Sequence, residues 1–172
     1  MVVSHVLVMG VCGTGKSSVA SRLADRLGAE FVEADDHHSP SAVERMTRGE
    51  PLTDADRWGW LDRIAEAAMQ AGGPTVIACS ALKQAYRDKL ATALDDLSVV
   101  HLDGSKALVT ERVAARADHF MPASLIDSQF EALERPGGPD VLTLDISRPV
   151  DDLVAAAETF ATKARGRAPT EN

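Results

Sequence analysis

An apolar run, Val6-Leu7-Val8-Met9, stops at Gly10-Val11-Cys12-Gly13-Thr14-Gly15-Lys16-Ser17, and an amphipathic stretch follows at once. The middle segment has the spacing G-x-x-x-x-G-K-[ST], set between a buried strand and a helix, which is the context this motif requires. No other feature of the chain constrains the fold as tightly. Small residues let the backbone wrap so that successive N–H groups point at phosphate oxygens, and the following helix adds the positive end of its dipole. Gly10, Val11, Cys12, Gly13, Thr14, Gly15, Lys16, Ser17 and Ser18 are therefore predicted to hold a nucleoside triphosphate. Lys16 would reach the β- and γ-phosphates, and the Ser17 hydroxyl would ligate Mg²⁺.

The rest of the chain alternates strand and helix patterns. Val19, Ala20, Leu23, Ala24 and Leu27 lie at helical spacing, with Gly28 suited to the position just past the end. Phe31-Val32 opens a second strand that runs into the acidic cluster Glu33-Ala34-Asp35-Asp36. Thr53 and Asp56 have the spacing of a helix cap, and Leu61, Ile64, Ala65 and Ala68 supply the apolar face behind it. Further strands are predicted over 75–79, 98–102 and 141–144, and helices over 82–93, 106–117, 122–133 and 150–163. This order implies an α/β, three-layer fold: a five-stranded parallel sheet with helices on both faces. A single domain is predicted over 1–165, with 166–172 as a disordered tail.

The formal net charge of −8 argues against nucleic acid and membrane surfaces as partners, because both need a basic footprint. The residues before the first strand lack a basic leader region, so they read as neither a signal peptide nor a membrane span. Two cysteines, Cys12 and Cys79, make no disulfide framework and point to a reducing cytoplasm. The chain is short, has no N/T-K-x-D guanine-reading pattern, and ends its third strand in Cys79-Ser80 where a Walker-B carboxylate would stand. These features favour a small-molecule kinase, with Mg²⁺ resting on Ser17 and on an acid of the second strand, Glu33. Asp35 is assigned as the carboxylate that orients the acceptor hydroxyl and takes its proton; an extended strand would point Glu33 and Asp35 the same way. His37 and His38 lack further ligands at zinc spacing.

Several blocks together resemble the gluconate kinase family. They are the phosphate loop; Ala34-Asp35-Asp36-x-His38; Arg45-Met46-x-x-Gly49-x-Pro51-Leu52-x-Asp54-x-Asp56-Arg57-x-x-Trp60-Leu61; and Cys79-Ser80-Ala81-Leu82-Lys83-x-x-Tyr86-Arg87-Asp88. Arg116-x-x-His119-Phe120-Met121-Pro122 and Ser128-Gln129-Phe130 complete the match, which spans about residues 5–160. The resemblance implies phosphorylation of D-gluconate by ATP at its terminal hydroxyl, a mobile helical lid over about 112–135, and a homodimer. The chain departs from the family pattern at 37–39, at Ala42 and at Gly59, and the first two bear on acceptor preference.

A sugar acid needs a cation for its carboxylate and hydrogen-bonding groups for its hydroxyls. On the matched blocks, Arg57, Lys83 and Arg87 are assigned to the acceptor, with Arg45 and His38 beside them; Lys83 and Arg87 are spaced to share a helix face. Arg112, Arg116 and His119 form a cationic stripe: Arg112 and Arg116 are assigned to the nucleotide, Arg116 to catalysis as well, and His119 to the acceptor. Trp58 and Trp60 read as packing residues. Two other readings stay open: a kinase of another small hydroxy acid such as shikimate, and a nucleotide-binding regulatory module with no acceptor.

Overall fold

The computed structural model describes residues 5–116 and 123–165. The strands are β1 (His5–Met9), β2 (Glu30–Glu33), β3 (Thr75–Ala78), β4 (Leu97–Asp103) and β5 (Val141–Asp145). The helices are α1 (Lys16–Leu27), α2 (Pro40–Thr47), α3 (Asp54–Gln70), α4 (Gln84–Ala93), α5 (Lys106–Ala115), α6 (Ala123–Ala132) and α7 (Val150–Arg165), with a short 3₁₀ helix at Ala34–His37. The sheet order is β2-β3-β1-β4-β5, and every pairing is parallel. The three-layer, five-stranded expectation holds. No helix among the described residues is long and apolar enough to cross a membrane.

The side-chain alternation of β1 divides the core. Val6 and Val8 face α1 and α7, meeting Val19, Leu23, Val154 and Ala157. Leu7 and Met9 face the opposite layer, meeting Leu61, Ile64, Tyr86 and Leu90 of α3 and α4. A strand buried on both faces has no polar side, which is why these strands read as short continuous apolar runs.

The predicted cap of α3 is present as a full capping box, in which the Thr53 hydroxyl accepts from the Asp56 N–H and the Asp56 carboxylate accepts from the Thr53 N–H. Two elements escaped the sequence reading. The 3₁₀ helix stands where Asp35 was placed on an extended strand, so Glu33 and Asp35 are not aligned by strand alternation. Helix α2 is capped by Ser39, begins at Pro40 and buries only Ala42, too little for a detectable period.

Arg87 corrects an expectation. It does not face the cleft beside Lys83; it is 4% exposed. Lys83 is not inside α4 but is its capping residue, so the shared helix face does not exist. The Arg87 guanidinium donates to the carbonyls of Ala81 (2.8 Å), Leu82 (3.0 Å) and Glu134 (2.7 Å) and to Gln84 Oε1 (2.9 Å). Ala81 has a left-handed φ of 41°, which is uphill for a residue with a Cβ. Arg87 thus spends its donors holding the turn after β3 in a strained shape. Arg87→Met would keep the apolar stem and strip these carbonyls of their donor. Unfolding free energy should fall by about 2–4 kcal/mol, read by denaturant titration; an unchanged midpoint would show that the turn holds without it.

Candidate active site

The loop after β1 can pass close beneath β4 only because it carries no side chain at Gly10. A Cβ there would lie 2.7 Å from the Leu102 carbonyl oxygen and 2.8 Å from Thr14 Oγ1. Gly13 has φ +76°, and a Cβ would press on Val113 Cγ2 of α5 at 2.7 Å. The loop then enters α1 at Gly15, with no side-chain cap on that helix, so its first N–H groups remain available to an anion. Thr14 Oγ1 and Lys16 Nζ both donate to the Val11 carbonyl, at 2.8 Å and 3.0 Å, while the Cys12 N–H donates to Gln129 Oε1 of α6 at 2.7 Å.

Lys16 is the electrostatic centre of the site. Burial lowers its ammonium pKa, and the charges of Asp35 and Glu33 work against that. Ser17 Oγ donates to Glu33 Oε2 at 2.5 Å, so the two residues assigned to the metal meet at the carboxyl edge of the sheet. Asp35 is exposed, and His38 holds its carboxyl below the usual carboxylate range, with Lys16 adding to the effect. His38 Nε2 lies 3.8 Å from Asp35 Oδ1. The His38 ring is stacked on Trp60 with centroids 4.4 Å apart; its side chain is 7% exposed and Nδ1 is buried without a hydrogen-bond partner among the described residues. Trp60 Nε1 in turn donates to the Ala34 carbonyl at 2.7 Å, fastening α3 to the 3₁₀ helix. Burial pushes both thiols up, Cys79 to about 12, and both cysteines are free.

Near the start of α3, three side chains gather around one carboxylate. Tyr86 Oη donates to Asp54 Oδ1 at 2.6 Å, and Lys83 Nζ lies 3.5 Å and Arg57 Nη1 3.8 Å from the same oxygen. Arg57 also donates to Tyr86 Oη at 3.2 Å. The structure thus brings Arg57 and Lys83, both assigned to the acceptor, to one place around Asp54 and Tyr86, to which sequence reasoning gave no role. Their presence in the matched blocks was the signal available.

Other assigned residues are differently engaged. Arg45 pairs with Asp56 at 2.9 Å and approaches Glu50 at 3.6 Å, so it clasps α2 to the start of α3. Arg112 donates to the Ile146 carbonyl at 2.5 Å, which fastens α5 to the loop after β5. Arg116 caps the end of α5, is exposed, has no ion-pair partner among the described residues, and its charge reaches the Cys12 thiol. His119 lies outside the described residues, as do other parts of the expected lid and the tail 166–172.

The comparisons with known proteins agree with this arrangement. The AAA domain family model matches residues 6–136. The chain is 49% identical to a gluconokinase of Gluconobacter oxydans over 77% of its own length and 76% of that protein's. It is 40% identical to the thermoresistant gluconokinase of Escherichia coli, covering 88% and 90% of the two chains. The crystal structure of a gluconokinase from Sinorhizobium meliloti 1021 shares the fold with a TM-score of 0.87 and 40% identity, over 95% of this chain and 94% of that one. A phosphate loop facing an acidic strand end, carried on this sheet order and matched at this identity over most of its length, places the chain in the gluconokinase family of P-loop kinases.

Proposed function

We propose that this protein transfers the γ-phosphoryl group of ATP to the terminal hydroxyl of D-gluconate, giving 6-phosphogluconate and ADP. The observation that carries this reading is the gathering of Lys16, Ser17, Glu33 and Asp35 at the carboxyl edge of the sheet, together with a clustered Arg57–Lys83 cation pair around Asp54. The gluconokinase names of its relatives supply the acceptor.

Lys16 leaves the Val11 carbonyl for the β- and γ-phosphate oxygens when the nucleotide enters. Asp35, held ionised at neutral pH, accepts a hydrogen bond from the acceptor hydroxyl and so aims its lone pair at the γ-phosphorus. The new P–O bond forms as the bond to the bridging oxygen breaks. That electron pair leaves on ADP, and the hydroxyl proton passes to Asp35. Arg116, at the end of α5, serves the charge that builds on the transferring group; Arg112 toward the nucleotide and His119 toward the acceptor keep the roles the matched blocks imply.

Ser17 Oγ and Glu33 Oε2 are hard oxygen donors of the kind that hold Mg²⁺ together with phosphates and water. Bound there, the ion would neutralise charge on the β- and γ-oxygens. Arg57 and Lys83 take the acceptor carboxylate, for which the Asp54 carboxylate is a local counterpart, and Tyr86 and His38 are placed for hydroxyls. The homodimer implied by the family and the cytoplasmic setting read from the two cysteines belong to the same proposal.

The departures from the family pattern do not favour another acid. The Ser39 hydroxyl is used as the cap of α2, and Ala42 is 3% exposed in the interior. A coupled assay with ATP, Mg²⁺ and a panel of acceptors should show turnover of D-gluconate and none of shikimate; turnover confined to a different acid would reject gluconate as substrate. Asp35→Asn should lower kcat by about 10²–10⁴-fold while ATP still binds, and wild-type turnover in this variant would move the base elsewhere. Arg57→Ala should raise the gluconate KM by about tenfold or more and leave the ATP KM in place. An unmoved gluconate KM would take Arg57 out of the acceptor site.

A further inference from the structure

The carbonyl of Val11 and the N–H of Cys12 belong to one planar peptide group, and both sides of it are held. Thr14 Oγ1 and Lys16 Nζ grip the carbonyl at 2.8 Å and 3.0 Å, and Gln129 Oε1 accepts from the N–H at 2.7 Å. The first two partners are local, three and five residues away. The third comes from α6, 117 residues on. Helix α6 falls within the stretch expected to form a lid, but in this structure it is anchored. Ile126 is buried in the core cluster with Val109 and Val113 of α5, Lys106 pairs with Asp127, and the Glu134 N–H beyond its end donates to the Leu82 carbonyl at 2.8 Å.

We propose that Gln129 is a positioning residue for the phosphate loop: its side-chain carbonyl fixes the plane of the Val11–Cys12 peptide and thereby presets the following amides for the triphosphate. This deepens the kinase reading and rests on it. The nucleotide must draw Lys16 off the Val11 carbonyl, which removes one of the two grips on that side. Gln129 is the grip that nucleotide binding does not call away, because it holds the N–H from outside the motif. Without it the half-buried N–H turns to water or another acceptor by rotating the peptide, and the loop must be reordered each time ATP binds. Gln129 touches no reacting atom in this scheme. Its effect falls on nucleotide affinity, not on the acceptor.

The test uses Gln129→Met, which keeps the length of the side chain and removes the acceptor. Calorimetry with ATP alone should show affinity weakened about three- to tenfold. The gluconate KM should stay within about twofold and the melting temperature should hold. Unchanged ATP affinity would overturn the proposal. So would a parallel loss of both substrates with a fall in melting temperature, since that would mark Gln129 as merely structural. A second measurement needs no variant: the Cys12 amide of the nucleotide-free wild-type protein should be strongly protected in hydrogen exchange, and rapid exchange there would equally overturn the assignment. Binding of ATP alone separates this inference from the acceptor assignment. A wild-type protein that binds ATP but leaves gluconate untouched would refute gluconate as substrate and leave the role of Gln129 standing.

Discussion

The reversal of the chain at the end of β1 is the constraint on which the rest of the site depends. Gly10 lies against the carbonyl of Leu102 on the neighbouring strand β4, closer than any side chain allows. That approach lets the next residues curl over the sheet edge and deliver Lys16 and Ser17 at the start of α1. The loop is costly to order, because it is rich in glycine and presents unpaired donors. It is held by partners from three directions: the Thr14 hydroxyl within the loop, Val109 and Val113 of α5 beneath Gly13, and Gln129 of α6. A binding surface made of main-chain donors is only as rigid as the elements packed around it.

The cluster at Asp54 and the segment that carries Asp35 are built by another means. No glycine motif shapes them; long-range ties bring separate segments together. Trp60 fastens α3 to the 3₁₀ helix that carries Asp35, and its ring supports His38. Arg87 holds the strained turn at Ala81 from which Lys83 projects, and the same guanidinium reaches Glu134 beyond α6. Asp54 gathers Arg57, Lys83 and Tyr86 around a single oxygen. A carboxylate among two cations and a phenol keeps the charges from repelling each other in the absence of an acceptor.

Charge placement explains why an acidic chain can handle anions. The net charge of −8 is spread over the molecule, whereas Lys16, Arg116, Arg57 and Lys83 all lie on the elements that follow the carboxyl ends of β1, β3 and β4 or precede that edge on α3. Local potential, not the total, decides what enters a cleft.

Much of this was legible in the residues. The phosphate loop, all five strands, the box at Thr53 and Asp56 and the parallel sheet follow from patterns a few residues long, because hydrogen-bond geometry and side-chain alternation act over that range. The pairing of Ser17 with Glu33 and the gathering of Arg57 with Lys83 were also within reach. The short 3₁₀ helix and α2 were not, since neither buries enough apolar surface to leave a period. The arginines divided most sharply. By type and spacing Arg45, Arg57, Arg87 and Arg112 looked alike, yet packing gave them an aspartate clasp, a tyrosine hydroxyl, a buried turn and a backbone carbonyl. The sequence alone determined where the backbone bends and which edge of the sheet binds phosphate. Only the tertiary structure decided what each guanidinium does, because a long flexible cation takes the oxygens that distant segments bring within about 3 Å of it.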